Sequence, residues 1–105
     1  MNLVAGFFKQ RDFSPQQIAF IEGEKQLSYE QFHDSFALIS SHLVYYQCFG
    51  QRIAVALDRG IDAAAAIYGI LSAGACYIPL DIKNPPNRLS YIIHDVQPRL
   101  ILGSG

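Results

Sequence analysis

The chain has 105 residues, 50% of them hydrophobic and only 16% charged, with a formal net charge of −1. That length suits one small domain, and a charged content well below the usual quarter or so makes it apolar for its size. The balanced charge, with no basic run, points away from nucleic acid and anionic membranes, and no stretch approaches the roughly 18 consecutive apolar residues of a membrane span.

A small domain this apolar predicts either self-association or packing against protein outside these residues. The N-terminal "MNLVAGFFKQRD" has neither the basic start nor the long apolar centre of a signal peptide. Cys48 and Cys76 form no zinc-ligand spacing and no CxxC. Reduced thiols in a cytoplasmic protein are therefore expected.

In chain order, the apolar run Leu3 to Phe8 predicts a turn or two of helix, ended by the polar "KQRDFSP". Ile18 to Ile21 then predicts a strand, "EGEK" a turn, and "QL" a short return strand, together a small hairpin. Ser28 with Gln31 fits a capping box, and Leu27 with Phe32 a hydrophobic staple. Phe32, Phe36, Ile39, Leu43 and Tyr46 follow at helical spacing and mark one buried face. "RIAVAL" at 52–57 reads as a strand covered on both faces. Gly60 or Asp62 caps "IDAAAAIYGILSAG", a helix apolar on nearly every side, which needs more cover than so short a chain offers.

Gly74 stops that helix, and "CYIPL" predicts another strand. Asn84 and Pro85 fit an N-cap and first helical residue. Leu89, Ile92, Ile93 and Val96 supply the apolar face of the next helix, Pro98 closes it, and "RLILG" is a last strand. Alternating strands and helices imply right-handed βαβ units. The predicted class is α/β: a mostly parallel sheet with flanking helices, preceded by a short hairpin.

The candidate chemistry is thin. Cys76, Asp81 and one of His33, His42 or His94 form a nucleophile set on paper. The histidines, however, all fall in predicted helices, away from the strand ends where α/β sites gather. A small thiol between a helix and an apolar strand ordinarily packs as core. Cys76 is thus expected to be buried and Cys48, near a helix end, accessible. Gly69 and Gly74 belong to no phosphate-loop pattern, and close packing and a helix stop account for them. Gly103-Ser104-Gly105 follows a strand, where an anion loop could begin, with no helix after it to supply amides. Arg88 is expected to pair with a nearby carboxylate such as Asp81 rather than bind an anion. Tyr68 and Tyr77 are expected to pack as core or subunit-facing aromatics.

"LSYEQF" at 27–32 resembles the first motif of the adenylate-forming enzymes, and "ILSAGACYIPLD" at 70–81 resembles their "LKAGxAY(V/L)P(L/I)D" motif. The "PLD" and "P-x-R-L" combination brings the chain nearest to the amino-acid adenylation domains of nonribosomal peptide synthetases and stand-alone D-alanine–carrier-protein ligases. The resemblance runs over about residues 13 to 102. Two departures stand out: Gln51 where the family commonly has aspartate, and "DIKNPP" after the strand in place of "DPxYP".

The resemblance implies that residues 1–105 form a single, truncated N-terminal adenylation subdomain. It implies that both motifs are structural and that Cys76 holds a small-residue position. The family joins ATP and a carboxylate into an acyl-adenylate, releases pyrophosphate, and passes the acyl group to a carrier-protein thiol. Its phosphate loop, adenine- and ribose-binding segments and C-terminal lysine lie beyond these residues. The resemblance therefore assigns no catalytic, cofactor-binding or metal-binding residue here, and ATP and Mg belong to the parent family. The expected function is an N-terminal piece of an adenylation enzyme, inactive alone. The expected partners are the rest of the domain, a carrier protein, or a second copy. The competing expectation is a non-catalytic α/β interaction module that assembles with another subunit.

Overall fold

Ser28 closes a strand and opens the longest helix. Its hydroxyl accepts from the Gln31 amide at 3.2 Å, and the Gln31 side chain accepts from the Ser28 amide at 2.9 Å. This reciprocal capping box satisfies two donors at the helix start. The staple residue Leu27 packs on the core that holds Phe32.

The structure, a computed structural model, describes residues 3–56, 60–81 and 83–103. Its elements are α1 (Leu3–Phe13), β1 (Ile18–Glu22), β2 (Lys25–Ser28), α2 (Tyr29–Tyr45), β3 (Arg52–Ala56), α3 (Ile61–Ser72), β4 (Cys76–Pro79), α4 (Pro86–Val96) and β5 (Leu100–Gly103). β1 and β2 form a separate antiparallel hairpin, and β4-β3-β5 form a three-stranded parallel sheet. The predicted class and element order hold.

β3 is central. Ile53, Ala54 and Val55 are all buried, and successive side chains point to opposite faces, so β3 is covered on both sides as its unbroken apolar run predicts. From β3 the chain steps to β4 on one side, then crosses back to β5 on the other. Right-handed crossovers in opposite directions place α3 and α4 on opposite faces.

The core has two parts. Ile53 and Val55 join Leu43, Cys48, Ala66 and Ile70 between the sheet, α2 and α3. Phe7, Phe32, Phe36, Ile61 and Ala65 make the other. Phe7 docks α1 there, its ring centroid 5.4 Å from Phe32, 5.2 Å from Phe36 and 5.6 Å from Tyr68. Ile39 packs against both parts.

α2 and α3 pack tightly at Gly69. A Cβ there would lie 2.8 Å from Ile39 Cγ2 and 3.0 Å from the Phe36 carbonyl oxygen. The close-packing role expected of Gly69 is therefore observed.

α2 and α3 each end in a Schellman motif. At α3, Ala75 N–H donates to Ile70 O and Gly74 N–H to Leu71 O, both at 3.1 Å, with Gly74 left-handed at φ +73°. "LSAGACYIPLD" is thus architecture, the turn that ends α3 and launches β4. At α2, Cys48 N–H donates to Leu43 O and Gln47 N–H to Val44 O, both at 3.0 Å, with Gln47 at φ +57° in the left-handed position.

Four expectations need correction. α1 continues through the polar segment to Phe13, because Lys9, Gln10 and Arg11 are good helix formers. Pro85, not Asn84, is the N-cap of α4, extended at φ −59°, ψ 151°, because the residue before a proline, here Pro86, is pushed out of the helical region. α3 is better covered than its composition suggests: Ile61, Ala65, Ala66, Gly69 and Ile70 are buried, and Ala63, Ala64, Ile67 and Tyr68 half-buried. Much of the uncovered apolar surface lies instead on α4, none of whose side chains is buried, on the α2 face and α2–β3 loop that carry Leu38, Val44, Tyr45, Tyr46 and Phe49, and on Phe13 and Ile21 of α1 and β1. Tyr46, expected on the buried face of α2, is its exposed C-cap.

Gly69→Ala is expected to cost about 1–3 kcal/mol in a denaturant-unfolding measurement, the usual effect of overpacking a close contact. The penalty of Gly69→Ala should be smaller, but not zero, when it is made in an Ile39→Ala background, because the Phe36 carbonyl still opposes the new methyl.

Candidate functional site

The paper nucleophile set does not assemble. Cys76 is the first residue of β4 and Asp81 lies beyond its far end. Four residues lie between them, and five extended steps span about 16 Å. His42 and His94 are exposed on α2 and α4. His33 is wedged between the rings of Phe8 and Phe36, with centroids at 5.4 and 5.2 Å. Its Nδ1 is buried without a hydrogen-bond partner, and Asp34 Oδ1 stands off at 3.8 Å. Among the described residues no group of three or more His, Cys, Asp or Glu could hold a metal ion.

The two thiols are the reverse of expectation. Cys48 is buried at 0% exposure and Cys76 is exposed. The cause is local. Cys48 follows the left-handed residue of the α2 Schellman motif, where the chain folds back onto the helix and an apolar side chain meets the last turn. There it joins Leu43 in the core. Cys76 opens an edge strand, paired with exposed Arg52.

The other candidates are dispersed. Arg88 is exposed, and Asp81 forms no ion pair with it. Asp81 Oδ1 instead accepts from the Lys83 amide at 2.9 Å. Gly103 ends β5, and residues 104 and 105 lie outside the described residues. Tyr77 is exposed at 38%, whereas Tyr68 is half-buried. Burial, with a smaller contribution from Tyr29, raises the Tyr68 phenol above its usual pKa, as desolvation of a phenolate requires.

An open parallel sheet binds ligands beyond the carboxyl ends of its strands, where the winding reverses. Here that point lies between the ends of β3 and β5. Ligand sites commonly run from roughly 300 to 1,000 Å³, and a groove of ≈ 600 Å³ occurs here, lined by Ser35, Asp62, Ala65, Ala66, Ile101 and Gly103 among others. Its described walls are mainly apolar, and the one charged residue among the described lining, Asp62, is acidic. Among the described residues that line it there is no Lys or Arg to meet a polyphosphate. Residues 57–59, which follow β3, lie outside the described residues.

Sequence reasoning missed three polar anchors. Glu22 accepts from the Ile61 amide at 3.2 Å. Arg52 Nη1 donates to the Val96 carbonyl at 3.0 Å, and Arg99 Nη2 to the Tyr46 carbonyl at 3.2 Å. The arginines serve the carbonyl-rich ends of α4 and α2, where positive charge is favourable. Their partners are distant in sequence, so no local pattern marks them. The one available signal for Glu22 was a helix beginning at a glycine with no capping side chain.

Comparison with known proteins gives the family. The model of the AMP-binding enzyme family matches residues 7–104. Vanchrobactin synthetase VabF of Vibrio anguillarum is 38% identical over 94 residues, covering 89% of this chain and 3% of the synthetase. The dimodular nonribosomal peptide synthase of Bacillus subtilis is 32% identical over 98 residues, 91% of this chain and 4% of that protein. A four-domain nonribosomal peptide synthetase solved with AMP and glycine superposes with a TM-score of 0.90 at 35% identity, over 100% of this chain and 8% of that one. The chain belongs to the AMP-binding enzyme family and corresponds to an N-terminal part of an adenylation domain of the nonribosomal peptide synthetase type. It spans only a few per cent of the length of these curated relatives, 3% in the first case.

In the native chain, a thiol reagent at neutral pH is expected to modify Cys76 first. Cys48 should react only on unfolding. Labelling followed by peptide mass spectrometry reads the order, and faster modification of Cys48 would contradict its burial.

Proposed function

We propose that this chain is part of the frame of an amino-acid-activating adenylation domain and has no catalytic activity alone. In the whole enzyme the amino acid's carboxylate oxygen attacks the α-phosphorus of ATP. The bond to the β-phosphate oxygen breaks and pyrophosphate leaves with that electron pair. A carrier-protein thiol then takes the acyl group and AMP departs. ATP with Mg²⁺ is the substrate of that enzyme. The rest of the adenylation domain and a carrier protein are the proposed partners, in the cytoplasm. Self-association of the isolated chain is the proposed fate of its uncovered apolar faces.

The observation that carries this reading is the family match over residues 7–104, read with what these residues contain. No GxGxxG or GxxxxGK[ST] pattern occurs in the sequence, and the groove at the winding reversal is apolar and faces Asp62. What the chain offers instead is positioning. β3 and β5 end at the crevice, α3 walls it, and the two Schellman turns set where β3 and β4 begin.

The test is amino-acid-dependent ATP–pyrophosphate exchange. The 105-residue chain is expected to show none with any proteinogenic amino acid, and calorimetry should find no ATP binding. Exchange should appear when this sequence stands within a complete adenylation domain. Exchange or tight ATP binding by the chain alone would overturn the proposal.

A further inference from the structure

α3 begins without a capping side chain of its own. Its N-cap is Gly60, at φ +122°, ψ −170°, a backbone region essentially reserved for glycine. The first amides of a helix still need acceptors from elsewhere. The Ile61 amide finds one 39 residues earlier in the chain, donating to Glu22 Oε2 at 3.2 Å. Glu22 is the last residue of β1, at the turn of the hairpin. The same carboxylate fills the space over Gly60, where an added Cβ would collide with Oε2 and Cδ of Glu22.

One carboxylate therefore accounts for two features that look unrelated in sequence: a helix with no local cap, and a glycine at the capping position. Its negative charge suits the positive end of the α3 dipole, and a hydrogen bond to an ionised acceptor is stronger than a neutral one. Across the hairpin turn Glu22 is the register partner of Lys25. Among the described residues the ion pairs are Arg11 with Asp12 and His33 with Asp34, so Lys25 does not claim the carboxylate.

We propose that Glu22 is the N-terminal cap of α3, supplied by the hairpin, and that it acts as a conformational latch holding the start of α3 against the hairpin. The inference does not depend on the adenylation reading. The latch sits where α3 enters the crevice wall, one residue before Asp62. It also occupies the end of α3 where an external anion would bind, so a phosphate reaching this helix would have to displace Glu22. The hairpin, which belongs to neither edge of the parallel sheet, thereby gains a hold on the start of the helix that follows its central strand.

The test combines hydrogen exchange with a double-mutant cycle on this chain. Glu22 and Gly60 are both exposed, so their variants are expected to fold. Glu22→Ala should speed exchange of the Ile61 amide about tenfold or more, the scale of a lost charge-assisted bond, while the β3 amides keep their rates. Glu22→Gln keeps a carbonyl acceptor at the same reach without the charge and should fall between. Gly60→Ala should lower the melting temperature more in the native background than in Glu22→Ala, where only the backbone strain remains. Three results would overturn the latch: unchanged Ile61 exchange in Glu22→Ala, acceleration of the β3 amides together with Ile61, or an equal effect of Gly60→Ala in both backgrounds.

Discussion

The contact on which the rest of the structure depends is the one between α2 and α3 at Gly69. With no Cβ at that position, the α3 backbone comes down onto Ile39 and the Phe36 carbonyl. Ile39 is the side chain shared by both parts of the core. Through it the aromatic cluster that docks α1 and the aliphatic cluster under the sheet become one packed body. A gap of even a methyl group would separate them, because protein interiors are close-packed and lose contacts steeply with distance.

The apolar composition that marks this chain finds its explanation outside α3. That helix is enclosed by α2, by β3 and β4 and by the aromatic cluster. Part of the surplus lies on the half-buried stripe of α4, on the exposed Ile101 of edge strand β5, and on the exposed residues around the end of α2, where Tyr45 is 78% and Phe49 81% exposed. These are a helix face, a strand edge and a loop, three kinds of surface that other protein commonly covers. In the relatives this segment is 3% to 8% of a much longer chain.

The structure also separates two kinds of polar residue. Ser28, Gln31 and the turn residues Gly74 and Gln47 act within a few positions of themselves and set where elements begin and end. Glu22, Arg52 and Arg99 act across 39, 44 and 53 residues and set how the elements sit together. None of them is arranged as reactive machinery. Each satisfies a helix terminus, the place where backbone groups lack partners inside the helix.

The local physics was legible in the residues alone. The capping box at Ser28, the Phe32–Phe36–Leu43 stripe, the both-faces-buried run of β3, the hairpin and the glycine stop of α3 all follow from interactions within about four positions or from period-two and period-3.6 patterning. The two motifs at 27–32 and 70–81 carried the family resemblance for the same reason, since they are the residues of those local turns. What only the tertiary structure decided was everything that turns on direction and distance. β3 is central because the first crossover leaves it for β4 on one side and the second passes it to reach β5 on the other. Cys48 is inside because a left-handed residue turns the chain back on α2 before it. Cys76 is outside because β4 is an edge. Gly60 answers to a carboxylate in another element. A sequence records which groups need a partner, but a partner 39 residues away is chosen by how the layers pack, and no local pattern encodes that choice.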